Sequence, residues 1–436
     1  MQPSYIETNN QNMLKRNRKN KLYWLCIIMI FVPLSLLANS YLDCRYSATK
    51  QYSIPIIAWR YLPSKEYKCH KVMKDICDCG FNTVFYFNEN LYADSICQIA
   101  LQDGLNVIMG SHALKTDRAE TFISTLSNTD NILCWYLQDE PHFEDLPNLK
   151  KEYDHLMEFS QNKPIYVNLI GSISKKYTGD CKTMIEYLDT IDSLLHPEIW
   201  SYDYYPVSIS NSKININYNQ FFASLNAFKE QSQKTGKPFW AFCQGMEYKN
   251  SQIQRPAATL PFLRFEAFCA LAFGAKGIVY WGYSLPKSND EQYLSALTES
   301  NGKKTKAWYC SQKVNQEIRA FNDIFCHSKV NKIHINNHNF LFTHLNKEFE
   351  SPLNNISLIS VSGIGVLLSD ISSDGKNFII IINLDVENSQ DIICNLNNDK
   401  EFYQLEYRKG FLHAKKIKSL KYSKSIPPGS YTILSY

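Results

Sequence analysis

Between Ile54 and about Ser284 the chain alternates short apolar runs of β-type residues with amphipathic helical stretches, and it does so eight times. That alternation predicts a parallel sheet with helical crossovers. The strand candidates are IPIIAWR from Ile54, TVFYFN from Thr83, NVIMGSH from Asn106, ILCWYLQDEP from Ile132, PIYVNLIG from Pro164, IWSYDYYP from Ile199, PFWAFCQG from Pro238 and GIVYWGY from Gly277. Each is almost continuously apolar until its last residues, as a strand covered on both faces must be. The polar endings fall where ligand chemistry gathers in parallel barrels.

Intervening stretches such as KCHKVMKDICDCG, YADSICQIALQDG and TLPFLRFEAFCALAFG end on Gly80, Gly104 and Gly274, the residue type that caps a helix C-terminus. Eight repeats over roughly 230 residues match the size of a (β/α)8 barrel. A doubly wound open sheet would instead carry a glycine-rich turn after its first strand, and none follows Arg60.

The fold class expected is therefore α/β, a (β/α)8 TIM barrel over residues 50–328, followed by a small C-terminal antiparallel β-sandwich domain over 329–436. In that last part NISLISVSG, GVLLSD, FIIIINLD, DIICNLN and YTILSY are separated by clusters of Asn, Asp, Ser and Gly. A helix around Trp308 to Ile324 precedes it.

Residues 1–40 read as an export signal. Lys15, Arg16, Arg18, Lys19 and Lys21 form a basic region, an apolar run follows from Leu22 to Ala38, and small residues at Ala38 and Ser40 offer a cleavage point. The run is short for a membrane-spanning helix and contains Pro33, which favours cleavage and export to the periplasm, cell surface or medium; left uncleaved, residues 22–38 would act as a signal anchor. Leu42 and Asp43 before Cys44 argue against lipidation. These first 40 residues hold five basic side chains against the single acid Glu7, a local excess equal to the +4 of the whole chain. The remainder is neutral as a set, and no nucleic-acid partner is expected. Thirteen cysteines show no metal-type spacing, and most read as small buried apolar residues, with one or two disulfides among the exposed ones. The chain also holds 28 Tyr and 7 Trp, rings that fill a large core or stack on sugar faces.

The sharpest chemical motif is Trp135-Tyr136-Leu137-Gln138-Asp139-Glu140-Pro141, which closes the fourth strand. Asp-Glu-Pro is also turn and helix-start chemistry. At the end of a barrel strand, however, two adjacent carboxylates are costly unless something uses or neutralises them. A carboxyl in a partly apolar pocket keeps its proton to higher pH and can donate it near neutrality, which makes Glu140 the candidate general acid.

This strand ending resembles the Asn/Asp-Glu-Pro of the large clan of retaining (β/α)8-barrel glycoside hydrolases, the superfamily of β-galactosidases, cellulases and their relatives. The stretch RPAATLPFLRFEAFCALAFGAKGIVYWGY, from Arg255 to Tyr283, resembles the seventh-helix and eighth-strand block of uncharacterised bacterial β-galactosidase-like members. The resemblance covers roughly residues 54 to 330. It implies hydrolysis of O-glycosidic bonds in an oligo- or polysaccharide, with Glu140 as acid/base, Asp139 contacting the sugar near the reacting carbon, and Trp281 flooring a sugar subsite.

One departure matters. The clan carries its nucleophilic Glu at the end of strand seven, where this chain has PFWAFCQGMEYKN; Gln244 is in register, and Glu247 lies three residues on. An amide does not form the usual glycosyl ester. Three explanations stay open: Glu247 reaches back as nucleophile, Asp203 at the end of strand six activates water, or the barrel binds sugar without cleaving it. His112, Asn168, Tyr205 and Gln244 point to the same rim as substrate-binding candidates. No His-Glu-x-x-His, Walker loop or Gly-x-Ser-x-Gly is present, so neither a metal nor another cofactor is expected.

Overall fold

A computed structural model of the protein describes residues 53–59, 66–87, 92–286, 292–337, 349 and 351–436. The expected signal segment 1–40, with the apolar run 22–38, lies outside the described residues. Among the described residues no helix is long and apolar enough to cross a membrane.

Eight parallel strands close a barrel in the order β1-β8-β7-β6-β5-β4-β3-β2. They are β1 (Ile56–Trp59), β2 (Thr83–Phe87), β3 (Asn106–Gly110), β4 (Ile132–Asp139), β5 (Ile165–Ile170), β6 (Trp200–Asp203), β7 (Phe239–Gln244) and β8 (Gly277–Trp281). All eight strand candidates fall on these elements. The main helices between and after them are α1 (Glu66–Asp78), α2 (Ala93–Gln102), α3 (Ala119–Ser124), α4 (Leu146–Phe159), α5 (Met184–Leu195), α6 (Tyr218–Thr235), α7 (Leu260–Ala272) and α8 (Lys306–Ala320). Helix α7 starts with the Thr259 hydroxyl accepting from the Phe262 N–H and Pro261 in its first turn; it ends before Gly274 at φ +95°, a conformation that residues with a Cβ rarely adopt.

Alternate strand residues fill the barrel. Ile57, Trp59, Phe85, Ile108, Cys134, Tyr136, Tyr166, Trp240, Phe242 and Val279 make one interior cluster. Trp59 lies at its centre, stacked on Phe85 at 3.8 Å between ring centres and edge-on to Tyr136, Tyr166 and Phe242. Six aromatic rings thus fill the lumen, which leaves the chemistry to the layer above it.

The C-terminal part is a two-sheet antiparallel sandwich. Its strands are β9 (Lys329–Asn337), β10 (Ile356–Val361), β11 (Gly365–Ser373), β12 (Lys376–Asn383), β13 (Gln390–Leu396), β14 (Tyr403–Arg408), β15 (Phe411–Lys416), β16 (Lys421–Ile426) and β17 (Tyr431–Ser435). One sheet runs β9-β11-β12-β17-β14-β15 and the other β10-β13-β16. Ile379 and Ile381 of β12 face the second sheet in a shared core with Ile392, Cys394 and Tyr422. Ile380 and Ile382 are also fully buried, on the face toward α7. This two-sided burial explains why FIIIIN is apolar without alternation.

Barrel and sandwich belong to one compact unit, residues 45–436. Phe268 of α7 stacks on Tyr431 at 3.6 Å, the Tyr218 hydroxyl donates to the Leu384 carbonyl at 2.6 Å, and Ser369 donates to the Ala272 carbonyl at 2.7 Å. Gly429 stands at φ +58°, where an added Cβ would meet the Pro261 carbonyl oxygen at 2.2 Å. Gly429→Ala is therefore expected to cost about 1–3 kcal/mol, read as a lower urea midpoint; an unchanged midpoint would mean that this contact is soft.

The ten cysteines whose side chains are described are free thiols. Cys181, Cys310 and Cys326, the three that are only partly buried, are unbridged, which corrects the expectation of disulfides among the exposed cysteines for the described residues.

Candidate active site

Side chains that point inward at the strand ends form the floor of the candidate site, and a defect in β4 decides which acid joins them. Tyr136 points into the lumen, so in a regular strand Gln138 would be the next to do so. The β4–β5 register slips between Tyr136 and Gln138, and Asp139 comes to pair with Asn168. The bulge therefore turns Asp139, not Gln138, toward the lumen. Gln138 faces Lys115 instead, whose ammonium donates to its side-chain oxygen.

Glu140 follows with φ +40° and donates its N–H to the Asn168 carbonyl at 2.9 Å. A non-glycine residue in that region costs on the order of 1–3 kcal/mol and persists where its surroundings hold it.

Asn168 ties the floor together. Its Nδ2 donates to Asp139 Oδ1 and to Asp203 Oδ1, each at 3.0 Å, and its Oδ1 accepts from Ser201 Oγ at 2.9 Å. Ser201 in turn pairs with the Tyr166 hydroxyl at 2.7 Å, so the amide orientation is set from below by two buried hydroxyls. Asp203 also shares a side-chain hydrogen bond with Glu140. Two carboxyl groups can bond to each other only if one carries a proton. Burial, then the charges of Glu140 and Asp139, hold the Asp203 carboxyl well above the usual carboxylate range, with Asn168 opposing them.

Aromatic rings wall the cluster. Tyr205 lies against Trp281 at 5.2 Å, and the Arg255 guanidinium sits 5.1 Å over the Tyr205 ring while donating to the Tyr205 carbonyl at 2.5 Å. Burial, followed by the charges of Asp203 and Asp139, pushes the Tyr205 phenol far up, so it stays a neutral donor. Trp281 also meets Tyr248 and Tyr293 edge-on.

Asp139, Glu140, Asn168, Asp203 and Tyr205 are thus brought together, with Trp281 beside them. The other three candidates stand apart. Gln244 shares inward parity with Trp240 and Phe242, yet it is only 4% exposed, and its Nε2 donates to the Pro256 carbonyl at 2.7 Å. Glu247 lies in a short three-stranded sheet opposite Ser295 and is not among the groups that act on Asp203. His112 is exposed on the rim, edge-on to Phe87 at 4.9 Å. Among the described residues no group of acids, His or Cys is arranged to hold a metal ion.

Four residues of this region were not among the candidates, and three of them carried a weak sequence signal. Ser201 and Tyr166 are polar groups two residues before Asp203 and Asn168 on apolar strands, and that period-two spacing was the available clue. Glu266 is the lone acid of the apolar helix α7, and it accepts the Gln244 backbone N–H at 2.7 Å. Arg255 precedes that helix without any local pattern to mark it.

Because Asn168 donates to Asp203, it favours the charged form of that carboxyl. Losing a hydrogen bond to a charged group costs about 1.5–3 kcal/mol, or roughly one to two pKa units. Asn168→Leu is expected to move the acid limb of the pH–rate profile to higher pH by about that amount, and an unshifted limb would remove Asn168 from the electrostatics of the cluster.

Residues 123–321 match the glycoside hydrolase family 42 β-galactosidase family. Among solved structures, the chain is similar to a GH42 β-galactosidase of G. stearothermophilus, with TM-score 0.59 and 8% identity over 90% of this chain and 99% of that one. It is similar to a β-galactosidase from Bacillus circulans sp. alkalophilus to the same degree, over 89% of this chain and 100% of that one. The chain spans 60% of the length of a β-galactosidase from the psychrophilic Marinomonas ef1, at 10% identity, TM-score 0.46 and 61% of this chain. Among curated proteins, no sequence matches this chain.

Proposed function

Starting from a (β/α)8 barrel whose residues 123–321 match the glycoside hydrolase family 42 β-galactosidase family, we propose that the chain hydrolyses an O-glycosidic bond of an oligo- or polysaccharide, with Glu140 as general acid and Asp203 as its carboxylate partner. The observation that carries this reading is the hydrogen-bonded Glu140–Asp203 pair. Two carboxyls that share one proton bind it more tightly than an isolated carboxylate would, which is what a general acid requires.

In the proposed reaction that proton passes from Glu140 to the glycosidic oxygen as the anomeric C–O bond breaks. A water oxygen forms the new bond to the anomeric carbon, and its proton goes to Asp203. Tyr205 and Trp281 offer ring faces to the sugar, and Asp139, fixed by Asn168, accepts from a hydroxyl beside the reacting carbon. Retaining glycosidases hold their two carboxyls about 5–5.5 Å apart and inverting ones about 6.5–9.5 Å. The anomer of the product therefore reports which separation the bound sugar sets. The burial of Gln244 against Pro256 and the place of Glu247 in a separate sheet favour Asp203 over either as the second group.

The likeness to β-galactosidases makes β-galactosides the first substrates to try. A panel of aryl glycosides and oligosaccharides, with the anomer of the first product read by NMR, tests the activity and its stereochemistry together. Turnover by the wild type that survives in Asp203→Asn would exclude Asp203 as the base. Sugar binding without turnover would instead support a binding barrel, the reading that Gln244 at the strand-seven position favours. Export through residues 1–40 also belongs to this proposal, and N-terminal sequencing of the protein recovered outside the cell would check it.

A further inference from the structure

The two-residue turn between β14 and β15 places Lys409 at φ +51° and Gly410 at φ +85°, with Arg408 paired to Phe411 across it. Both central residues at positive φ give the hairpin turn that matches strand twist, a turn that favours Asn-Gly. A lysine there accepts backbone cost to put a cation at the tip. Strand β15 then forms the edge of its sheet, and all six of its residues are exposed.

Between Arg408 and Lys424 stand seven Lys and Arg and no acid. Since the chain beyond residue 40 is neutral as a set, this one stretch is balanced by acid spread elsewhere, and it concentrates cations along the edge strands β15 and β16 and the segment that joins them. Arg408 and Lys424 are engaged by Glu406, and Lys416 by Glu401. Lys409, Lys415, Lys418 and Lys421 have no ion pair among the described residues.

Lysines on an edge strand ordinarily serve to block pairing with other chains. The apolar residues here do not fit that use alone. Phe411, paired with Arg408 at the turn, is 52% exposed, Leu412, paired with Tyr407, is 38% exposed, and Leu420 is 53% exposed between Lys418 and Lys421. At two places, then, an exposed apolar side chain is flanked by cations. An acidic polysaccharide would be met by the cations without exposed aliphatic groups. A lipid bilayer uses both, with side chains entering the acyl boundary and ammonium groups resting on phosphates.

We propose that the β14–β15 hairpin and the following segment to Lys424 form a docking surface for a membrane bearing anionic phospholipids. The reading is independent of the barrel chemistry.

The test is co-sedimentation of the full chain with phosphatidylcholine vesicles, with and without phosphatidylglycerol, at low and high salt. Binding through the N-terminal apolar run would appear with both lipids, so the quantity that counts is the salt-sensitive preference for the anionic vesicles. Each lysine near such a surface contributes roughly fivefold in partitioning, so the combined variant Lys415→Gln, Lys418→Gln, Lys421→Gln is expected to lose on the order of a hundredfold of that preference. Phe411→Ser with Leu412→Ser should lower anionic binding at least about tenfold at unchanged charge. All five positions are exposed, and unchanged thermal melts would confirm that the variants fold. Equal binding to both lipids, or an undiminished preference in the triple-lysine variant, would overturn the proposal. Salt-sensitive binding to polygalacturonate without a preference for anionic vesicles would overturn it in favour of an acidic polysaccharide.

Discussion

Glu140→Gln is expected to lower kcat on glycosides with poor leaving groups by about a hundred- to ten-thousandfold, the range associated with losing a positioned proton donor. The amide keeps the size of the side chain and a partner for Asp203, so the loss should be chemical and not one of folding. Its signature is dependence on the leaving group. A dinitrophenyl glycoside departs without protonation and should be spared, whereas an alkyl glycoside should not. Uniform loss across leaving groups would mean that Glu140 acts by position or as the covalent nucleophile. Asp203→Asn separates the members of the pair further. With a neutral partner, Glu140 no longer shares its proton with a second carboxylate, and the basic limb of the pH–rate profile should fall to lower pH.

That the fold was legible in the sequence has a plain physical cause. A barrel strand buried on both faces must be apolar along its length, so the eight runs announced themselves, and their polar ends marked the rim. The site was legible only where chemistry and backbone pattern coincide, as at Asp139-Glu140-Pro141. The bulge in β4 was not legible, because it follows from how β4 registers against β5 and not from the composition of either strand; it is what turns Asp139 inward. The contact between Glu140 and Asp203 joins residues 63 positions apart and depends on the curvature of strands β4 to β6. Gln244 shows the opposite limit. Its position at the end of β7 was read from the strand, but the turn of its amide toward Pro256 is set by the chain that covers it.

The second large effect concerns Glu266, behind that strand. Its carboxyl is fully enclosed in α7, accepts the Gln244 N–H at 2.7 Å, and leaves its other oxygen without a partner. Burial pushes its pKa up to about 8 from an ordinary 4.5, against the lowering effects of the Gln244 N–H and Arg255. The unfolded chain therefore releases this proton several pH units before the folded one. Below about pH 4.5 both states are neutral and the group costs nothing; as pH rises toward 8 the folded state is held protonated against an ionised unfolded chain, and the stability present at low pH is progressively lost. At 1.36 kcal/mol per unit the full loss is about 4–5 kcal/mol. Glu266→Gln retains an oxygen to accept the Gln244 N–H but cannot ionise. Urea midpoints of the variant and the wild type should lie close together at pH 5 and separate steadily above it, with the variant the more stable at pH 9. Parallel curves across that range would show that Glu266 ionises normally in the folded protein, and that the end of β7 is wetter than its packing indicates.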